Sequence, residues 1–429
     1  MNNASLISSL ALLCPVFLVA CGDVVIDPGP SSSSTAGQVG AGGGAGSGGA
    51  GGHGGSLAAC DALKNTMPAG VSRWLFELDP VHEAVGLRHV ELVDTGLEGD
   101  DSTLLLALAR ATDGGTVLLA SRFDGRKGPL GEEPVLLPRT AIPLADTAKP
   151  TRLQATRGAA GKVHALLTGD TSAHLLRIDA SSLAIESVDD LGGGASPLFL
   201  AASMSDFLAG VQPLPTPSPV SLVSKAHPSL ALATSIGCPD GFAPATAMPT
   251  DQGFLVGFVA SGCPSLGEDG FYVTEVIDGA LAGPPNRVDL DFDPWLPSLV
   301  RVGDRAWLAL EETAAGFTTV HAVPLDLHGS RLGDARALGS NLAGFPTARL
   351  GASVAVGFHI GTTDSTMTFV ATTGETLGTL PMGSGAAATS PMDVEVVREQ
   401  TLLMSWGYPG ADPHDAFVHV EQARCTSGR

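Results

Sequence analysis

Short apolar runs alternate with Pro- and Gly-bearing breaks along most of the chain, and the alternation repeats. Pro150, Pro197, Pro244, Pro297, Pro346 and Pro391 recur every 45 to 53 residues. Within thirteen residues of each begins an apolar run mixed with small residues, at Val163, Phe207, Phe254, Trp307, Val354 and Leu402, and a seventh run over 104–109 precedes them. The runs are short and rich in β-branched residues, and no twelve-residue window of 69–424 carries an apolar stripe of period 3.6, so they predict strands. The fourth unit shows the plan. Strands are expected over 245–249, 254–260, 271–277 and 287–292, with Gln252-Gly253 and Asp278-Gly279 at the turns. Glycine accepts positive φ without a Cβ clash, which suits tight hairpins. Ala and Gly within the runs, as in Leu255-Val256-Gly257, suggest sheets converging where space is short.

Four strands per 40 to 50 residues is the signature of a β-propeller. The expected fold is therefore all-β, a seven-bladed β-propeller over 60–429, with six or eight blades or paired β-sandwiches as alternatives. The seventh unit, with strands over 393–398, 402–406 and 417–422, lacks a fourth. The segment 71–78 lies ahead of the first unit without partners, so the N-terminal strand is expected to complete the last blade and close the ring. That closure would bring Cys60 near Cys425. Cys60–Cys425 and Cys238–Cys263 are the favoured disulfides of the three pairings that four cysteines allow. In the chain-entropy model such loops contribute roughly 5 and 3–4 kcal/mol as upper values.

Ahead of this head, an apolar run over 6–20 ends in Leu18-Val19-Ala20-Cys21-Gly22. About fifteen residues are too few to span a bilayer as a helix, so a cleaved signal is expected. The pattern is that of a lipobox, and the chain resembles the bacterial lipoproteins that carry a glycine-rich tether and a propeller-like head. The resemblance implies a signal peptide over 1–20, a lipid thioether on Cys21, and a cell-envelope location, with the outer membrane favoured because Asp23 does not directly follow the cysteine. The n-region departs from the pattern, since Lys64 is the first basic residue. Residues 21–59, nearly all Gly, Ala and Ser over 38–56, cannot bury enough apolar surface to order themselves and are expected to be a flexible tether.

The net charge of −21 opposes binding to nucleic acid or an anionic leaflet. No C-x-x-C pair, nucleophile elbow or H-E-x-x-H helix occurs, so no catalytic residue, metal ligand or cofactor is assigned. Weaker candidates are His164 and His359 within apolar runs, His414 beside Asp415, the Asp100-Asp101 pair, and a degenerate Asp-box over 111–118 around Asp113 and Gly115. Asp289, Asp291 and Asp293 alternate on an expected strand, which would put three carboxylates on one face. Trp295 and Trp406 are candidate ring platforms, though packing between blades is expected of both. These features favour a monomeric, non-catalytic binding or scaffold module, attached to the membrane by its lipid, with an envelope protein or polymer as ligand. The competing reading is a glycan-acting hydrolase or lyase with carboxylates at the central channel.

Overall fold

The structure, a computed structural model, describes residues 63–65, 74–77, 84–97, 102–111, 115–124, 128–129, 135–136, 150–159, 161–215, 218–237, 244–314, 317–340, 347–350, 353–360, 364–371, 376–381, 392–397, 401–409 and 416–425. Side chains are described over 89–97, 103–109, 115–122, 152–159, 161–215, 218–237, 244–313 and 319–337. All of these residues belong to one compact unit, Gly55–Arg429. Cys21, Cys60, Cys238, Asp100, Asp101, Asp113, His414 and Asp415 lie outside the described residues, as do the side chains of His359 and Trp406.

The described chain is all β, in seven antiparallel sheets of four or five strands. Sheet 1 begins with Ala84–Asp94, sheet 2 with Pro150–Arg157, sheet 3 with Ala195–Ala202 and sheet 4 with Ala245–Pro249. Sheets 5, 6 and 7 begin with Pro294–Val302, Thr347–Leu350 and Met392–Val397. In each, the first three strands in chain order pair consecutively, while sheets 1 and 4 carry an additional short strand on the third strand and sheet 7 receives two segments from the N-terminal end of the head. Three of the marker prolines open a first strand or sit at its irregularity, Pro244 directly precedes one, and Pro346 and Pro391 lie outside the described residues. Pro150 is the first residue of sheet 2, while Pro197 and Pro297 fall at bulges. These are places where a missing backbone donor costs a sheet little.

The apolar runs form the second strands, such as Phe254–Ala260 and Lys162–Gly169, and are buried on both faces. Alternate residues feed different cores. Val163, Ala165 and Leu167 pack with Leu104, Leu106 and Leu108 of sheet 1, while Leu166 packs with Phe207, Ala209 and Val211 of sheet 3. Phe254, Val256 and Phe258 face sheet 3, whereas Leu255 and Val259 join Leu308 and Leu310 of sheet 5. Sheets therefore stack face to face in chain order, which explains apolar runs without polar alternation. The expected hairpin at Asp278-Gly279 is present: Ile277 pairs with Ala280, and both turn residues have positive φ, 51° and 75°.

The fourth strand of sheet 4 departs from expectation. It is split into Ala280–Leu281 and Asn286–Val288 and stops before the aspartates. Asp289, Asp291 and Asp293 are exposed residues of the connection to sheet 5, not of a strand. In the last sheet, Trp74–Glu77 pairs with Ala416–Cys425, with Trp74 opposite Val420 and Glu77 opposite Phe417. Leu63–Asn65 extends the same edge, with Leu63 opposite Cys425.

Candidate functional site

First strands of neighbouring sheets are tied by polar contacts. The carboxylate of Glu91 accepts from the backbone N–H of Ala155 at 3.3 Å and contacts His89 Nε2 at 2.6 Å. Arg157 donates to Asp94 at 2.8 Å, and Gln154 donates to the Leu198 carbonyl at 3.2 Å. Thr246 accepts from the buried Leu299 N–H at 3.0 Å. These contacts join sheets 1 and 2, 2 and 3, and 4 and 5. The carboxylates nearest these junctions are therefore held by the fold itself.

A different arrangement stands where sheet 5 begins. Trp295 and Glu311 are opposed in the ladder between Pro294–Val302 and Arg305–Ala314. A directly opposed pair projects from one face of a sheet with Cβ atoms about 5 Å apart. A bulge follows at once, between Trp295 and Ser298, and Leu296 within it has φ +39°. A left-handed conformation is unusual for a bulky residue and is stored strain. Its effect is visible in exposure: Trp295 and Leu296 are 39% and 43% accessible. The expectation that Trp295 packs between sheets is thus corrected to a partly exposed position beside the bulge.

Behind this apolar pair lies Glu311, only 6% accessible. Among the described residues its carboxylate has no hydrogen-bond or ion-pair partner, and burial alone pushes its pKa up to about 7. Charged groups in apolar surroundings lose hydration and favour the neutral form. The next residue behaves oppositely. Glu312 contacts His321 Nε2 at 2.8 Å, and the His321 ring stacks on Phe292 with centroids 4.2 Å apart. Glu311 carried no mark in the sequence reading. The available signal was parity, since Trp307, Ala309 and Glu311 share a face that is otherwise apolar.

Of the histidines, His174 is buried, His164 is half-buried and His328 is exposed. Burial lowers the pKa of His164, helped by Arg177, and its ring lies 5.4 Å from that of Phe207. His174 is 4% accessible with neither ring nitrogen hydrogen-bonded, and burial lowers its pKa as well. Cys263 is buried and disulfide-bonded. Other carboxylates organise turns. Asp179 caps the Ser181 and Ser182 N–H groups and binds Lys162 at 2.6 Å, and these bonds hold its pKa far below the usual range. Asp326 accepts from the N–H groups of His328 and Ser330 in the same manner. Among the described residues no cluster of three His, Cys, Asp or Glu side chains is placed to hold a metal.

No family model matches the chain, and no curated protein matches its sequence. Among solved structures, the chain is similar to a protein of unknown function from Dyadobacter fermentans. That pair shares 9% identity over 85% of this chain and 99% of the other, with a TM-score of 0.49. It is similar also to the β-propeller domain of the Trilobed protease from Pyrococcus furiosus, at 7% identity over 80% and 96% with a TM-score of 0.46. A third is the subtype N11 neuraminidase-like protein of A/flat-faced bat/Peru/033/2010 (H18N11), at 9% identity over 87% and 96% with a TM-score of 0.44.

Proposed function

We propose that this chain is an exported lipoprotein, anchored in the cell envelope through Cys21, whose head is a non-catalytic binding module built as a seven-bladed propeller. The blade number rests on the seven sheets and on the contacts of their first strands. Ala84–Asp94 touches Pro150–Arg157, which touches Ala195–Ala202, and the succession runs through Ala245–Pro249, Pro294–Val302, Thr347–Leu350 and Met392–Val397 back to Ala84–Asp94. A ring of seven accounts for that succession, and the pairing of Trp74–Glu77 with Ala416–Cys425 would close it. Cys60–Cys425 and Cys238–Cys263 are the proposed disulfides. The first is favoured by Leu63 lying opposite Cys425, three residues from Cys60, and the second by the buried, bonded state of Cys263.

The observation that carries the binding reading is the state of the carboxylates. Glycoside hydrolysis needs two carboxyl groups roughly 5 to 10 Å apart across one bond. Glu91 and Asp94 are engaged by first-strand contacts. Glu311 and Glu312 are consecutive in a strand and so project to opposite faces. These four described carboxylates therefore do not favour the glycan-acting alternative. A propeller face carried on a long tether suits a ligand in the envelope, either a protein or a polymer.

The test uses the whole chain expressed in a bacterial host that processes lipoproteins. The mature protein should begin at Cys21, carry a diacylglyceryl group by mass, and sediment with membranes, while Cys21→Ser becomes soluble. It should also retain envelope polymers without cleaving them. Loss of no residues before Cys21, or release of glycan fragments at a turnover that scales with protein, would overturn the respective half of the proposal.

A further inference from the structure

We propose that the Trp295–Leu296 bulge and the Glu311 carboxylate behind it form the binding site for a lysine or arginine side chain of a basic peptide segment. The inference deepens the binding-module reading and rests on it, by naming the chemistry that one face recognises.

Three independent features converge there. The first is an acid without a counter-ion. A glutamate only 6% accessible, whose carboxyl has no hydrogen-bond or ion-pair partner among the described residues, is a cost to the folded chain. A cation brought to it would recover the Coulomb energy that burial leaves unused, since screening is weak where water is excluded. The second is the indole. Trp295 stands on the same face at the same rung and is accessible, and a cation over an indole face is attracted by its quadrupole. Guanidinium and alkylammonium groups meet both demands, and their aliphatic stems suit an apolar neighbour such as Leu296. The third is the approach. Asp289, Asp291 and Asp293 are all exposed in the segment that leads into Trp295, so a positive segment would be drawn toward this end of the sheet. A neutral polymer could use the indole alone, and an anionic one would be opposed by both the acid and the approach.

The bulge gives the site its shape. The extra residue and the positive φ of Leu296 hold two large apolar side chains in water, an arrangement the chain would not adopt for stability alone. Strain, exposed apolar surface and an unpaired buried acid at one rung each lower stability. Their coincidence marks a place where stability has been exchanged for recognition.

The experiment titrates the whole chain with a capped hexa-arginine peptide at 0.15 M salt, reading heat and tryptophan fluorescence, against wild type, Glu311→Gln and Trp295→Ala. A capped hexa-acetyllysine peptide is the neutral control. Wild type should bind the basic peptide with a change in indole emission and should ignore the neutral one. Either substitution should weaken binding at least tenfold, the loss expected for a charged contact removed from a shielded site. Glu311→Gln should unfold at a temperature no lower than wild type at pH 8, so that lost binding is not lost folding. Equal binding by all three proteins would mean that only the overall charge of −21 attracts the peptide, and the site would be refuted. Absence of binding by wild type would refute it too. Either refutation leaves the module reading standing if the same preparation still retains an uncharged polymer or an acidic protein.

Discussion

At the scale of single residues, Glu311, His164 and His174 give the folded chain two opposed responses to pH. For Glu311 the folded pKa of about 7 lies above its ordinary 4.5. Between those values the folded state holds more protons than the unfolded one, so stability falls as pH rises through that window and the full penalty stands above it. Two and a half units correspond to at most on the order of 3 kcal/mol. The histidines act with the other sign. Burial holds both below 6.5, so the unfolded chain takes up protons first and stability falls as pH drops below 6.5. Stability measured by urea unfolding from pH 4.5 to 8 should therefore show wild type losing ground against Glu311→Gln across the upper part of that range. The slope of their difference with pH is the observable, since any constant contribution of the amide cancels from it. A difference flat in pH would show that Glu311 is not a desolvated acid.

At the scale of elements, glycine in the second strands has a particular cause. The sequence suggests crowding between converging sheets; in the structure the tightest pressure comes from within the sheet, with a neighbouring sheet adding to it at Gly257. A Cβ on Gly257 would overlap the Phe271 ring and come within 3.2 Å of Leu299, and one on Gly210 would overlap the ring of Phe199 directly opposite. Each glycine is a seat for an aromatic ring from a paired strand. Gly257→Ala should thus destabilise the fold by about 1–3 kcal/mol through overpacking. In a Phe271→Leu background the same change should cost less than half as much, and a double-mutant cycle of denaturation midpoints measures this. Additive costs would show that the ring is not what the glycine accommodates. The comparison also shows which parts of the chain were readable. Second strands, buried on both faces, announce themselves as unbroken apolar runs, and the Asp278-Gly279 turn is set by local backbone preference alone. The outer strand of sheet 4 was misplaced because an exposed edge imposes no pattern: alternating aspartates suit a solvated strand and a solvated connection equally. Glu311 was hidden for another reason. In Trp307-Leu308-Ala309-Leu310-Glu311-Glu312 either glutamate could be the exposed one, and only the assignment of Leu308 and Leu310 to the sheet 4 side fixes which face Glu311 occupies.

At the scale of the whole molecule, the described chain is a succession of like sheets, and in sheets 2 to 4 neighbours on either side cover both faces. Such an arrangement leaves a liability wherever the succession or a sheet edge is left open. The edge of Ala416–Cys425 is covered by two segments from the far end of the sequence, Leu63–Asn65 and Trp74–Glu77. Without them a ten-residue strand would present unpaired N–H and C=O groups, a template for pairing with other copies. The two segments should therefore matter out of proportion to their length. A chain beginning at residue 56 should unfold cooperatively and run as a monomer in gel filtration, since it keeps both segments. A chain beginning at residue 80 loses both, and with them Cys60. It should unfold at a lower temperature, with a broader transition, and should self-associate at micromolar concentration. Cys60→Ser in the longer chain separates the two contributions, because it removes any covalent closure while leaving the strand pairing intact. If the pairing is the main fastening, Cys60→Ser should sit close to the longer chain and far from the shorter one. A chain from residue 80 that stays monomeric and melts like the longer one would show that neither segment secures the last sheet, and the proposed ring closure would fall with it.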